Sequence, residues 1–201
     1  MSPSLPNATG ARRALRRMLL ARRAAMQTAA RAAANRLIGA HLARLPGLKP
    51  GAAVGLYVSR DTEVNTAALR QLVKDRGCRV YLPRIVNFNL HRCVFAADST
   101  APMRLNRYRI AEPIGSSRVN ARAMAIVLMP LVGFDNEGNR LGNGAGYYDR
   151  LLAFRLGNKG APRLVGLAFE CQRCPAIEVA PHDVPLDAIV TENGIQFFPK
   201  R

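Results

Sequence analysis

The first 50 residues contain no aspartate and no glutamate, against ten lysines or arginines. The rest of the 201-residue chain holds twenty basic and thirteen acidic residues, and the net charge is +17. The N-terminal segment is therefore a cationic arm, for which composition leaves three readings open: a nucleic-acid-binding segment, an arginine-rich and acid-poor targeting peptide, or a basic helix serving an anionic ligand. Long apolar runs are missing too. The longest, AMAIVLMPLV at residues 123–132, is too short to cross a bilayer and carries Pro130, so it reads as a buried strand of a soluble protein. Cysteine is scarce: Cys78, Cys93, Cys171 and Cys174, of which only the last two form a C-x-x-C pair. With no second pair or histidine cluster at zinc-finger spacing, and Pro175 directly after Cys174, neither structural zinc nor a redox motif is expected, and reduced thiols fit a cytoplasmic location. Aromatics are few, five Tyr and seven Phe, and no RNP-like or zinc-finger signature accompanies the basic charge, which argues against nucleic acid as the partner.

What is present is a chain 49% hydrophobic, enough for one well-buried domain without disulfide or metal staples. Ala, Leu and Arg favour helix from about residue 11 to 45, broken near 26–28, where Thr28 is placed to cap a second segment. AAVGLYVS at 52–59 has strand character. NTAALRQLVKDRG at 65–77 offers a cap, helical spacing and a terminal glycine, and CRVYLPRIV at 78–86 reads as the next strand. Strand, helix, strand implies parallel pairing through a right-handed crossover. Within 87–122, HRCVFAA reads as a strand and RLNRYRIAEPIGSS as a loop turning at Glu112 and Pro113. The buried strand at 123–132, a helix from Tyr147, a strand LVGLAFE at 164–170 and one or two short strands in DAIVTENGIQFF complete the reading. The expected fold is α/β, a single three-layer domain over residues 1–201 with a mostly parallel central sheet flanked by helices.

The densest chemistry lies in DNEGNRLGNGAGYYDR, residues 135–150. A turn needs one glycine; Gly142, Gly144 and Gly146 together cost folding entropy and open the main chain to a ligand. Between the end of a buried strand and the start of a helix, such a loop presents unpaired N–H groups to an anion. Arg140 adds a bidentate phosphate contact, and Asp149 is suited to hold magnesium beside a polyphosphate. No Lys-Ser or Lys-Thr follows, so this is not a Walker loop. Taken alone, the glycines fit a flexible connector equally well, and Asp149 fits a first-turn helix acid.

The longer stretch GFDNEGNRLGNGAGYYDR, residues 133–150, resembles the signature of the 5-formyltetrahydrofolate cyclo-ligase family. Further segments agree in order: the basic helix with Leu15 and Arg16, SRDTEVNT at 59–66, YLPR at 81–84, IAEP at 110–113, then LVGLAFECQ and PHDVPLDAIVTE. The match runs from about Arg12 to Glu192. The resemblance implies ATP-dependent closure of 5-formyltetrahydrofolate to 5,10-methenyltetrahydrofolate, with ADP and phosphate released, by a cytoplasmic monomer whose partners are ATP, Mg2+ and a reduced folate. It assigns Arg140, Leu141, Gly142, Asn143, Gly144, Ala145, Gly146, Tyr147 and Tyr148 to the nucleotide, together with Arg12 and Arg16, four apart on one helix face. Asn143, Gly144, Ala145, Gly146 and Tyr147 also border folate, with Val58 and Glu63 as further folate contacts. Asp149 and Asp183 match the magnesium-associated acids, and Arg140, Tyr147 and Asp149 carry the catalytic expectation. Arg12 stands where the family usually has lysine.

Overall fold

The computed structural model describes residues 8–98, 102–115, 117–158 and 160–199. Two helices open it, α1 (Ala8–Ala24) and α2 (Thr28–Leu42). Thr28 is not the cap of α2. Gln27 occupies that position with an extended backbone and no side-chain cap bond. The break is made by the end of α1: the Arg31 guanidinium reaches back to the carbonyls of Arg23, Ala24 and Met26, groups a helix terminus otherwise leaves unpaired.

Strand β1 (Ala53–Gly55), helix α3 (Thr66–Asp75) and strand β2 (Arg79–Asn87) form the expected parallel unit. Asn65 caps α3 by accepting from the Ala67 amide at 2.9 Å, a contact worth about 1 kcal/mol. β2 outruns β1, which ends its pairing at Tyr81. Pro83 therefore sits where its missing N–H deprives no inner neighbour, and it pairs only with β3 (Arg92–Ala97), which returns antiparallel.

The segment expected as a loop turning at Glu112–Pro113 is a hairpin, β4 (Met103–Leu105) against β5 (Ala111–Pro113), and its turn lies at residues 106–109. The Asn106 side chain accepts the amides of Tyr108 and Ile110 and so builds that turn. Pro113 closes the second strand rather than the turn. Then follow β6 (Arg118–Val119), a 3-10 turn at Ala121–Ala123, β7 (Ile126–Pro130), the small pair β8 (Gly133–Phe134) and β9 (Arg140–Leu141), helix α4 (Tyr147–Leu152), β10 (Arg163–Leu167), β11 (Ala188–Thr191) and β12 (Gly194–Phe197). Three strands are shorter than their apolar runs, because β1, β7 and β10 pass into irregular backbone at their carboxyl ends, after Gly55, Pro130 and Leu167.

The main sheet has the order β12-β11-β10-β7-β1-β2-β3-β6. Five consecutive strands, β11 to β2, are parallel, while β12, β3 and β6 each pair antiparallel with the inner neighbour. Alternate residues feed two cores. Val54, Leu82, Leu128, Val165 and Val190 pack with Ile38 and Leu42 of α2 and Leu69 and Val73 of α3. Tyr81, Val127, Met129, Leu164 and Ile189 pack on the other face with Phe95, Phe134 and Leu152 of α4. The layered α/β architecture with a mostly parallel sheet is as the sequence implied. No described helix is long and apolar enough to cross a membrane.

From β1 the chain moves through α3 to β2 on one side, and from β7 it moves to β10 on the other, so the winding reverses between β1 and β7. In open α/β sheets, the carboxyl ends of the strands at such a reversal flank a crevice. Here Tyr57 and Val58 after β1, and Pro130 at the end of β7, line it.

Candidate functional site

The crevice is a cleft of about 780 Å³. One wall is the glycine loop. Gly144 and Gly146 adopt φ of +99° and +69°, backbone that a side chain strains, so the glycines are required by conformation and not only by space. No amide of residues 142–146 donates to a described residue. Those N–H groups remain for a ligand, in the manner of an anion nest. Helix α4 is only six residues long, so its dipole adds less than the sequence suggested, and cationic side chains carry more of the attraction.

These cations come from two places. Helix α1 buries Leu19, with Leu15 beside it, against Val132, Leu141 and Ile177, and the same stripe carries Arg12 and Arg16 over the cleft. Arg16 Nε donates to the Gly142 carbonyl at 2.8 Å, which ties the helix to the loop. Burial, then the neighbouring charges of Arg12 and Arg13, lower the Arg16 pKa, the signature of a cation cluster short of anions. Arg140, on β9, is buried and pairs with Asp149 of α4. Its Nε is buried without a partner among the described residues.

The opposite wall holds Glu63, buried, with Oε2 accepting the Arg60 amide at 3.0 Å. Its second oxygen accepts nothing from the described residues, so an inward-facing anionic acceptor is available for ligand N–H groups. Between the walls stand Tyr147 and Tyr148. Tyr147 meets His91 edge-on at 5.4 Å and Tyr108 at 6.4 Å. Its phenol is pushed up to about 12 by burial and then by the Tyr108 hydroxyl. Cys93, also in the cleft, is likewise raised to about 12 by burial and then Glu112, so it is a neutral thiol and not a nucleophile.

The structure thus brings together nearly every residue singled out from the sequence: Arg12, Arg16, Val58, Glu63, Arg140, residues 142–149 and Asp183 all line this cleft. Leu141 does not, being fully buried beneath α1. The sequence reading overlooked Tyr108, Asn106 and Glu112, which the hairpin delivers to the cleft. Glu112 Oε1 accepts from the Ile85 amide at 2.9 Å and from Asn106 Nδ2 at 2.8 Å, pinning the hairpin to β2. An acid next to proline gave no hint of that pairing.

As to a metal, no group of three or more His, Cys, Asp or Glu gathers among the described residues. Magnesium brought by a nucleotide asks for less, one or two carboxylates plus phosphate oxygens. Asp149 fits: Oδ1 takes Arg140 and the Val184 amide, and Oδ2 is uncommitted among the described residues. Asp183 fits less well, since Arg12 donates to both of its oxygens, at 2.6 and 3.4 Å, and the Ala180 amide donates to one.

A cationic glycine loop facing a buried carboxylate, at the switch point of a parallel sheet, defines an α/β protein whose cleft is suited in charge to an anionic ligand beside one with hydrogen-bond donors. The family model of the 5-formyltetrahydrofolate cyclo-ligase family matches residues 8–192, and the chain belongs to that family. It is similar to the 5-formyltetrahydrofolate cyclo-ligase of Haemophilus influenzae, 36% identical over 66% of this chain and 72% of the relative. The Escherichia coli enzyme of the same name is 34% identical over 71% and 79%. Among solved structures, Aquifex aeolicus 5,10-methenyltetrahydrofolate synthetase superposes with a TM-score of 0.81, 28% identity and 94% coverage of both chains. The Mycoplasma pneumoniae synthetase shares the fold at a TM-score of 0.71 and 24% identity, over 90% of this chain and 98% of that one.

Proposed function

We propose that this chain closes 5-formyltetrahydrofolate to 5,10-methenyltetrahydrofolate while converting ATP to ADP and phosphate. The observation that carries the reading is the cleft's polarity: unspent amides, Arg16 and Arg140 on one wall, and the open oxygen of Glu63 on the other. Glu63 accepts pteridine N–H groups and fixes the folate, with Val58 beside it. Residues 142–148 and the arginines hold the triphosphate so that the formyl oxygen lies in line with the γ-phosphorus.

The formyl oxygen attacks that phosphorus, an O–P bond forms, and the bond to the β-phosphate oxygen breaks, releasing ADP. A poor leaving group has become a phosphate ester. N10 then attacks the formyl carbon, the C–O bond breaks, phosphate departs, and the N10 proton goes to solvent. This chemistry needs charge neutralisation and alignment rather than a protein nucleophile, which agrees with the neutral Cys93. Magnesium supplies charge neutralisation at the phosphates, and Asp149 is the side chain that would hold it, with Asp183 nearby. On this reading the chain works as one domain and as a cytoplasmic monomer.

The test is purified protein with 5-formyltetrahydrofolate, ATP and magnesium, followed by the absorbance of the methenyl product. Product that depends on both ATP and magnesium is expected. Folded protein that binds ATP yet gives no product would sink the reading in favour of a family relative with a changed substrate.

A further inference from the structure

Three buried polar atoms in the cleft have no hydrogen-bond partner among the described residues: Arg140 Nε and the hydroxyls of Tyr147 and Tyr148. Leaving such a donor unpaired costs about 1–3 kcal/mol, and native folds rarely retain one without a use. Tyr148 is not held there loosely. It lies in the first turn of α4, and its ring packs against the core that contains Phe134 and Leu152, so the hydroxyl cannot swing out to water without unpacking the ring. The Tyr147 hydroxyl is buried and unpaired as well, but the Tyr108 hydroxyl lies near it. The charged and titratable groups around Tyr148 are Cys93, Glu63, Arg140 and Tyr57, which places it between the folate wall and the phosphate wall.

We infer that the Tyr148 hydroxyl donates a hydrogen bond to the oxygen that passes between the two substrates, the formyl oxygen as it bonds to the γ-phosphorus. This deepens the proposed reaction and rests on it. The acceptor must be an oxygen rich in electrons, because the group facing it is a donor and the other unpaired atoms of the site, Arg140 Nε and the Tyr147 hydroxyl, can donate as well. Tyr148 acts only as a hydrogen-bond donor and its O–H bond is never broken: the proton lost in ring closure comes from N10. The bond to the bridging oxygen strengthens as that oxygen takes on the phosphoryl group and again as it leaves with phosphate, so its contribution is larger in the transition states than in the bound substrates.

The experiment is Tyr148→Phe, which removes one oxygen and keeps the packed ring. Methenyl formation is measured for both proteins against ATP and against 5-formyltetrahydrofolate, with melting temperatures of the ligand-free proteins alongside. The expected result is a kcat lowered about 10- to 150-fold, the span of a lost hydrogen bond to a charged group. Both KM values should stay within about threefold, and the melting temperature should be unchanged or raised, since an unpaired buried group has been removed. A kcat equal to that of the unaltered protein overturns the inference, as does a fall confined to KM for ATP, which would make Tyr148 a nucleotide contact only. A lowered melting temperature with lost activity would assign the hydroxyl a structural partner and also overturn it. If the unaltered protein forms no methenyl product, the proposed reaction itself has failed, and this inference falls with it.

Discussion

The Arg140–Asp149 pair is local, nine residues apart, with the arginine side chain only 4% exposed. The Arg12–Asp183 pair joins residues 171 apart, with side chains 21% and 15% exposed. Both line one cleft and both use an acid expected to serve magnesium, but they are built for different tasks. Asp149 spends one oxygen on Arg140 and Val184 and keeps the other, while Asp183 is covered on both. Arg12 adds the Glu178 carbonyl at 2.6 Å, so this pair latches α1 onto the C-terminal segment. The first pair leaves one carboxylate oxygen uncommitted among the described residues, and the second ties down the wall that carries Arg16.

That contrast is broken most severely at Arg140. Arg140→Ala removes a phosphate donor and leaves Asp149 without its buried counter-ion. ATP-dependent turnover should fall about 10- to 150-fold, mainly through KM for ATP. Stability should fall with it by roughly 1–3 kcal/mol, a melting shift of about 2–10 °C. An unchanged ATP dependence would remove Arg140 from the phosphate site and make the pair purely structural.

Asp149→Asn sharpens the same side. The amide keeps an acceptor for Arg140 and Val184 but not the charge a metal requires. The magnesium concentration for half-maximal turnover should rise about tenfold, equivalent to ~1.4 kcal/mol of metal affinity, and excess magnesium should restore part of the rate. Superimposable magnesium curves for the two proteins would return Asp149 to the role of an ion-pair partner.

Arg12→Ala tests the other pair and should act more gently. Losing a partly exposed ion pair costs about 1 kcal/mol or less, and a loosened α1 should raise KM for ATP only a few-fold, because Arg16 keeps its bond to Gly142. A loss as large as that of Arg140→Ala would mean that Arg12 touches the phosphates directly, and the latch assignment would be wrong.

How much of this was legible beforehand depended on whether the cause was local. Asn65 capping α3 and the β1-α3-β2 unit follow from spacing within about 35 residues, and the glycine loop announces itself within 16. The β4–β5 hairpin did not, because its turn is set by the Asn106 side chain and its position by Glu112 bonding to β2, a contact 27 residues distant in sequence. The same holds for the acids of the cleft. Asp149 and Asp183 were recognisable as site residues, but that one is half open and the other covered follows from where α1 lands, which the packing of Leu19 decides. Tyr148 looked like one more loop residue until its hydroxyl was found buried and unpaired.

The smallest effect is the most specific test of the latch. For Asp183, burial alone would raise the carboxyl pKa, but the Arg12 hydrogen bond, the Ala180 amide and the Arg12 charge outweigh it and hold the group below its ordinary value of 3.8. A carboxylate with a depressed folded-state pKa contributes stability that is fully present above the unfolded value and is lost as pH falls through the folded one. Asp183→Asn should therefore melt slightly below the unaltered protein at neutral pH, by no more than about 1 kcal/mol given the partial exposure. The gap should stay constant down to about pH 5 and close as the pH drops well below the ordinary carboxylate range. Thermal unfolding of both proteins from neutral to acid pH makes the comparison. A gap of constant size throughout would mean that Arg12 reads the shape of residue 183 and not its charge, and the two pairs would then differ in kind as well as in exposure.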